Sequence, residues 1–287
     1  MKVNKLLYGD KAYPEWLAEI PAPPKELFSL GADPAKFWDK PRVAIVGSRG
    51  VSAYGKQVTA RLSSELAARG VIIISGLALG VDAIAHQAAL EAGGITWSVL
   101  PCGLDQIYPA SNRGLAKQIL INGGTIFSEY PIGTPCYKQN FIARNRLVSG
   151  LANVLVITEA TEKSGSLHTA RFALEQGRDV LAVPGNITSP TSVGTNNLIK
   201  SGATPITSAD DVLYVLGAKR LSVEPIKLVG ASPEEQTLID ILYSGITDGH
   251  ELLIQSSLPV EQFNQALTML EITGKIRALG NNNWSIK

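Results

Sequence analysis

One unit recurs six times between residues 42 and 183 and limits the folds open to this chain. It consists of a short apolar run, a turn that contains Gly, Ser or Pro, and then a helical pattern or the next run. The runs occupy residues 42–46, 71–74, 95–100, 125–128, 154–158 and 180–183. Short apolar strands that alternate with helices form a parallel sheet covered on both faces. We therefore predict an α/β fold with a Rossmann-like, doubly wound, mostly parallel sheet.

The turns that follow these strands share one edge of the predicted sheet. Ligands of such sheets bind outside the carboxyl ends of the strands, near the point where the strand order reverses. Backbone N–H groups and helix N-termini at this edge form anion sites, and Arg49, directly after Gly47 and Ser48, adds a bidentate phosphate donor. Neither G-x-G-x-x-G nor G-x-x-x-x-G-K-[ST] occurs, which argues against a dinucleotide site or a P-loop.

Residues 138–146 combine three cations, one aromatic ring and several amides, with no acidic residue among them. If Phe141 begins a helix, Arg144 and Asn145 share its face and Lys138 lies on the incoming loop. Single-stranded nucleic acid is held by this pairing of cations with aromatic platforms. The alternative is a helix with Phe141 in the core and solvated arginines.

Charge is distributed unevenly along the 287 residues, although the formal net charge is only +1. Residues 1–40 are neutral, residues 41–220 carry sixteen Lys and Arg against eleven Asp and Glu, and residues 221–287 carry four against eight. A polyanion needs a cationic footprint, so we assign nucleic-acid binding to residues 41–220.

Several classes of protein are disfavoured by what the sequence contains. The longest nearly apolar run, residues 71–81, is too short to span a membrane, and no apolar export segment follows Met1. Cys102 and Cys136 form no disulfide framework, and three histidines show no metal-ligand spacing. We expect a cytoplasmic protein without membrane attachment, metal or cofactor.

Seven motifs resemble, in order, those of the DNA-processing protein A family, also called Smf (DprA/Smf). They are Gly47-Ser48-Arg49, residues 75–82, Pro101-Cys102-Gly103 with Tyr108-Pro109, Ser128 to Pro131, Phe141 to Leu151, Ser164 to Leu167, and Val183-Pro184-Gly185. The resemblance implies a single-stranded DNA-binding protein that protects incoming DNA and loads RecA onto it during natural transformation and recombination. It also implies a homodimer.

The resemblance carries binding roles only onto matching residues. Arg49, Lys138 and Phe141 resemble the pocket that grips the strand. Arg144, Asn145 and Arg146 match the family's RNR signature and either contact DNA or bond the neighbouring Glu159 or Glu129. Ser164, Gly165 and Ser166 either cap a helix or contact phosphate. With Ser48 from the first turn, these ten residues form the predicted nucleic-acid site.

An enzyme is the alternative function, because related Rossmann-like families bind nucleotides or hydrolyse nucleoside monophosphates with the signature P-G-G-x-G-T-x-x-E. The nearest segment here is residues 164–172, and Phe172 stands where that signature needs its catalytic glutamate. His168 replaces the family's usual Ile or Val, and no Ser/His/Asp or Cys/His arrangement surrounds it. We therefore predict no catalytic residues and a protein that is not an enzyme.

The two ends of the chain differ from the middle. The proline-rich residues 1–40 predict an extended arm that packs through Trp16, Phe28 and Trp38. Residues 41–220 are predicted to form the DNA-binding domain. After a linker over residues 221–232, residues 233–287 predict three helices and a hairpin, a small winged-helix domain. Its third predicted helix, residues 260–273, contains no Lys or Arg, so we favour a protein partner or another subunit over DNA for it.

Overall fold

The computed structural model describes residues 3–10, 12–217, 230–280 and 282–286. The chain forms two compact units, Met1–Leu221 and Ser222–Lys287. The strands of the first unit are β1 (Val3–Leu7), β2 (Glu26–Gly31), β3 (Arg42–Val46), β4 (Ile72–Ser75), β5 (Thr96–Val99), β6 (Thr125–Ser128), β7 (Val154–Ile157), β8 (Asp179–Ala182) and β9 (Thr204–Pro205). Its helices are α1 (Glu15–Ala18), α2 (Ala53–Ala68), α3 (Val81–Glu91), α4 (Arg113–Ile121), α5 (Lys138–Gly150), α6 (Ser166–Glu175), α7 (Val193–Lys200) and α8 (Ala209–Val215).

These strands form one sheet in the order β1-β2-β6-β5-β4-β3-β7-β8-β9. From β6 to β9 all neighbouring strands are parallel, whereas β2 pairs antiparallel with β6 and β1 with β2. Every residue of β3, β4 and β7 is buried, as expected for strands covered on both faces. The predicted doubly wound, mostly parallel α/β sheet is confirmed.

The strand order reverses between β3 and β7. After β3 the chain builds β4, β5 and β6 outward on one side, and it then returns to place β7 on the other side of β3. Val46 pairs with Ile157 at the carboxyl ends of these two strands. Loops that leave adjacent strands in different directions open a crevice, and this is where ligands of doubly wound sheets bind.

Apolar clusters cover both faces of the sheet. On one face Trp97, Phe127 and Leu155 pack against Leu147 of α5 and Ala170 of α6. On the other face, residues of β3, β4 and β7 pack against Leu62 and Leu66 of α2, Val81 and Ala85 of α3, and Val212 of α8. The position of α5 is thus set by burial of its Leu147 side, while its first turns reach the carboxyl edge of the sheet.

The N-terminal segment differs from the extended arm predicted for residues 1–40. Its strands β1 and β2 continue the sheet beyond β6, which would otherwise be an open edge. The predicted packing through aromatics is present, because Trp16, Trp38 and Trp97 form a chain of edge-to-face contacts with centroids 5.6 Å apart at each step. The alternation of buried and partly exposed residues in β2 is short, and in a proline-rich segment such a short pattern is a weak signal for a strand.

Arg42, the first residue of β3, joins this segment to the sheet. The side chain is only 3% exposed, and its guanidinium donates to the carbonyl oxygens of Leu151 (3.0 Å), Trp38 (2.7 Å) and Lys40 (2.8 Å). It also lies 4.4 Å from the centroid of the Trp16 ring. Burial and, to a smaller extent, the nearby Arg178 lower the pKa of Arg42 to about 10, so the group stays charged at neutral pH.

The second unit contains three helices, α9 (Pro233–Tyr243), α10 (Gly249–Ser256) and α11 (Val260–Ile272), and the hairpin β10 (Ile276–Gly280) and β11 (Asn283–Ile286). Leu238, Leu252, Phe263 and Leu270 form its core. The predicted winged helix is confirmed. Residues 221–229 of the predicted linker lie outside the described residues, and Ser232 at its end caps α9 by accepting from Glu235 N at 3.2 Å.

Gln262, Asn264 and Gln265 of α11 are exposed, as is Glu261. These polar and acidic residues share the surface of α11 with the exposed Val260, Met269 and Ile272, and the helix contains no Lys or Arg. Over the described residues, no helix has both the length and the apolar character needed to cross a membrane.

We predict that Arg42→Ala lowers the free energy of unfolding of the first unit by about 3 kcal/mol, because one buried and two partly buried hydrogen bonds to carbonyl groups lose their charged donor. Urea titration followed by tryptophan fluorescence measures the change. The matched control is Arg61→Ala on α2, where an exposed arginine pairs only with Glu65 four residues on. Equal effects of the two substitutions would contradict the role assigned to Arg42.

Candidate nucleic-acid interface

A cleft of about 400 Å³ lies at the carboxyl ends of β3, β4 and β7, where the strand order reverses. The loops after these strands and the first turns of α5 and α6 line it. Eight of the ten predicted site residues border the cleft: Ser48, Arg49, Phe141, Arg144, Asn145, Ser164, Gly165 and Ser166. Lys138 and Arg146 do not line it.

The loop after β3 is held by the buried Glu159, which follows β7. Its backbone oxygen accepts from Ser48 N at 2.8 Å, and its carboxylate accepts from Ser52 N at 2.8 Å and Ser52 Oγ at 2.5 Å. A Cβ on Gly47 would stand 2.6 Å from Glu159 O, so the two strand ends approach this closely only with glycine there. Arg49 is therefore an exposed residue on a fixed loop.

The loop after β4 packs directly against the loop after β3. Gly80 has φ +80°, and a Cβ there would lie 2.3 Å from Ser48 O. Asp82, at the start of α3, accepts from Gly76 N at 3.1 Å and Ala78 N at 3.3 Å. Burial raises the pKa of the Asp82 carboxyl, while the charge of Arg144 opposes this shift. These contacts fix the floor of the cleft.

Helix α5 begins at Lys138, one turn earlier than the start predicted at Phe141. Lys138 was therefore wrongly placed on a loop; it is the first residue of the helix, three residues before Phe141. Residues three apart on a helix are neighbours on its surface, so Lys138 and Phe141 share one face. No capping residue marks this helix start in the sequence, because Tyr137 at the N-cap position provides no side-chain hydrogen bond.

Phe141 is half-buried and has an aromatic and a cationic neighbour. The Arg49 guanidinium carbon lies 5.8 Å from the centroid of the Phe141 ring. Tyr108 packs edge to face on the same ring, with centroids 5.0 Å apart and planes at 74°. Arg49 and Lys138 are both exposed, and neither forms a hydrogen bond or ion pair with another residue in the described part of the chain. Their charges are available to a ligand.

The structure gives Arg144 a different role from the predicted nucleic-acid contact. The side chain is 4% exposed, and its Nη1 donates to Gly76 O at 2.7 Å and to Val99 O, carbonyls that follow β4 and end β5. Burial lowers the pKa of Arg144, and the neighbouring Asp82 opposes that shift. The guanidinium of Arg144 ties α5 to the sheet through these two carbonyls, so few of its N–H groups remain for DNA.

Arg146 is likewise engaged by the protein. Its guanidinium forms a bidentate pair with Glu129, with Nη1 3.0 Å from Oε1 and Nη2 2.5 Å from Oε2. Glu159, the other acidic partner expected from the sequence, instead binds Ser52 in the loop after β3. Asn145 accepts from Arg144 Nε at 3.3 Å and donates to Gly165 O at 3.4 Å, so it bridges α5 to the turn before α6 while bordering the cleft.

The turn at Ser164 to Ser166 is ordered by its own hydroxyls. Ser164 Oγ lies 2.8 Å from Ser166 Oγ and accepts from Ser166 N at 3.4 Å. Gly165 is the N-cap of α6 and has no side chain to cap with, but the first backbone N–H groups are bonded within the turn, since Leu167 N donates to Ser164 O at 3.1 Å and His168 N to Gly165 O at 3.2 Å. Both interpretations of this turn, a helix cap and a phosphate contact, keep some support. Ser164 stabilises the helix start, and the turn borders the cleft.

Sequence reasoning missed Tyr108 and Leu79 as neighbours of Phe141. Both line a small pocket that adjoins the main cleft. Tyr108 stood in a motif that supported only the family resemblance, and nothing in its spacing indicated contact with residue 141. His168 is exposed on α6. Within the described ranges, no three or more metal-capable side chains come together.

Comparisons with known proteins agree with this geometry. The sequence model of the family described as DNA recombination-mediator protein A matches residues 4–217, and that of the DprA winged helix domain matches residues 224–282. DNA processing protein DprA of Bacillus subtilis is 41% identical over 214 residues, which cover 75% of this chain and 71% of the relative. Protein Smf of Escherichia coli is 46% identical over 172 residues, covering 60% of this chain. The match spans only 46% of that relative's length.

Among solved structures, DNA processing protein A of Helicobacter pylori superposes with a TM-score of 0.67 at 37% identity. The match covers 75% of this chain and 95% of that protein. That structure is described as giving insight into a unique single-stranded DNA binding mode of the Helicobacter pylori protein.

We predict that Arg144→Met, which keeps the side-chain length and removes the fork, lowers the free energy of unfolding of the first unit by about 3 kcal/mol. Two buried carbonyls lose their donor, and Asp82 loses a favourable charge. Arg49→Met is the matched control and changes stability by less than about 0.5 kcal/mol, as is usual for an exposed side chain. Urea unfolding measures both. An Arg144 variant as stable as the wild type would return this residue to the candidate ligand contacts.

Proposed function

The chain belongs to the family of DNA recombination-mediator protein A, and on that premise we propose that it binds single-stranded DNA in the cleft beyond β3, β4 and β7. The family's members include DNA processing proteins named DprA and Smf. The fold places the loops of three neighbouring strands at the cleft.

One observation carries this proposal: the exposed Arg49 lies over the half-buried Phe141 ring, and the exposed Lys138 stands one helical turn before Phe141 on α5. Among the described residues, neither cation forms a side-chain hydrogen bond or an ion pair. The cations offer phosphate contacts that release counterions, and the ring offers a stacking surface that accepts any base. Bases of a duplex are already stacked and paired, so only an unpaired strand presents a base to Phe141. The excess of cations over residues 41–220 adds a field that attracts the strand.

The Helicobacter pylori relative supports the same function, since a single-stranded DNA binding mode is ascribed to that protein. At 37% identity and with 95% of that protein covered, the two chains share the sheet and its carboxyl edge. We extend the binding to this chain because its own Arg49, Lys138 and Phe141 supply the necessary chemistry.

We further propose that this binding protects incoming DNA and that the protein, as a cytoplasmic homodimer, loads RecA onto the strand in transformation and recombination. The family resemblance supports this part of the proposal. The acidic winged-helix domain, with three Lys and Arg against seven Asp and Glu over residues 233–287, suits contact with a protein better than contact with phosphate.

The same cleft gives little support to an enzyme. Its titratable floor residues, Asp82 and Arg144, are bonded to backbone groups of the loops that they hold. A general acid or base must reach a substrate proton, and an amide or carbonyl partner within the protein competes for that contact. We therefore propose a binding protein, not a hydrolase.

The principal prediction concerns strand preference. In fluorescence anisotropy, wild-type protein binds a single-stranded oligonucleotide at least tenfold more tightly than the duplex, and the affinity falls steeply with salt. Arg49→Glu and Lys138→Glu each weaken single-strand binding about tenfold or more and make the salt dependence shallower, because one phosphate contact is lost.

Lys117→Glu on α4 is the matched control, because Lys117 is an exposed lysine on a different helix from Phe141. It changes the net charge equally and is expected to have a much smaller effect. Equal affinity for single and double strands would refute the proposal, and an equal loss from Lys117→Glu would show that net charge, not the cleft, governs binding.

A second prediction separates binding from hydrolysis. Incubation with nucleoside monophosphates releases no free base above the background without protein, as measured by chromatography. The reason is that Phe172 occupies the position of the glutamate that the hydrolysing families require. Base release that disappears in Asp82→Asn would instead support the enzyme.

A further inference from the structure

A small apolar pocket of about 50 Å³ adjoins the cleft on the Tyr108 side of Phe141. Leu79, Pro101, Tyr108 and Pro109 line it together with Phe141. We infer that this pocket is a second base-binding position, at which a nucleobase of the strand stacks on Tyr108 beside Phe141. The inference rests on the proposed function and specifies which part of the strand this side of the cleft contacts.

Exposure of the lining side chains is the first argument. Leu79 is 50% exposed and Tyr108 is 45% exposed, next to a cleft that the exposed Arg49 lines. Apolar surface beside a charged site is stabilised when a ligand covers it, and a nucleobase is the apolar part of a nucleotide. Arg49 and Arg144 also line the pocket, but Arg144 is bonded to backbone carbonyls and Arg49 lies at the border that the pocket shares with the main cleft. We therefore expect the phosphate on the cleft side of Arg49 and the base on the apolar side.

Preorganisation of the pocket is the second argument. Asn112, which is 9% exposed, donates to Leu77 O at 2.8 Å and Ala78 O at 3.3 Å, and so ties the loop of Leu79 to the loop of Tyr108. Leu77 is fully buried with φ +60°, a left-handed conformation that costs free energy for a residue with a side chain. The neighbouring Leu79 is thus exposed on a loop held in place by these contacts, not on a mobile one.

The third argument is the connection to α5. Asn140 Nδ2 donates to Pro101 O at 3.1 Å, so the wall of the pocket is attached to the helix that carries Phe141 and Lys138. The rings of Tyr108 and Phe141 stand at 74° and form a corner. A base that lies flat on one ring meets the edge of the other, which is a favourable aromatic geometry. The Tyr108 hydroxyl adds a group that can bond a base edge.

The experiment compares two strands of equal charge: a thymidine oligonucleotide of roughly 12 nucleotides, within the site sizes of such proteins, and an abasic strand of the same length. For wild-type protein the ratio of the two dissociation constants measures the contribution of bases. Tyr108→Ala weakens binding of the thymidine strand roughly tenfold and leaves binding of the abasic strand nearly unchanged, because only a base can stack on the lost ring.

Two further variants distinguish stacking from support of the fold. Tyr108→Phe keeps the ring and retains most of the base contribution, while Tyr108→Trp enlarges the platform and increases it. Tyr214→Ala is the matched control, because Tyr214 is 85% exposed on α8 and lines neither pocket. It is expected to leave both dissociation constants unchanged.

The outcomes separate this inference from the proposed function. If Tyr108→Ala weakens both strands equally, or neither, the base position is refuted while single-strand binding stands. If wild-type protein fails to bind the thymidine strand, the proposed function fails and the base position fails with it. A Tyr108→Trp protein with a smaller base contribution than Tyr108→Phe would likewise contradict stacking.

Discussion

The guanidinium of Arg144 binds the backbone carbonyls of Gly76 and Val99 and lies near the Asp82 carboxyl in the interior of the first unit. A buried cation is stable only when its donors are satisfied and an opposite charge is close, so α5 is locked to the carboxyl edge of the sheet. Phe141 lies one turn before Arg144 on the same helix, and Lys138 one turn before Phe141. A Cβ on Gly76 would stand 2.6 Å from Arg144 Nη2, so a glycine is needed at that strand end.

The cations of this site therefore form two groups that differ in burial and in their bonding partners. Arg144 and Arg146 are bound to protein carbonyls and to Glu129, and they shape the site. Arg49 and Lys138 are exposed, and among the described residues neither side chain is bonded to a protein acceptor. Removing a cation from water costs free energy. For the arginines that the fold buries, protein acceptors offset this cost, whereas the cations that stay in water keep their charge available to a ligand.

Neighbouring loops contribute different chemistry along the cleft. The turn before α6 contributes serine hydroxyls, and the loop after β3 contributes Arg49. The loops after β4 and β5 contribute the apolar surfaces of Leu79 and Tyr108. A nucleotide has the same division between anionic phosphate and apolar base. The crevice exists because the strand order reverses between β3 and β7, so this complementarity follows from topology together with local residues.

The sequence by itself determined the parallel sheet, the winged helix and the edge where the site lies, because short apolar runs, glycine turns and helical spacing are local signals. It also singled out Arg49, Lys138 and Phe141 as candidate site residues, because they stand in motifs that resemble those of the family. Only the tertiary structure decided that β1 and β2 extend the sheet, that Arg144 is buried, and that Tyr108 contacts Phe141. Pairing partners and burial depend on contacts between residues far apart in sequence, such as Arg144 with Gly76, and no local pattern encodes them.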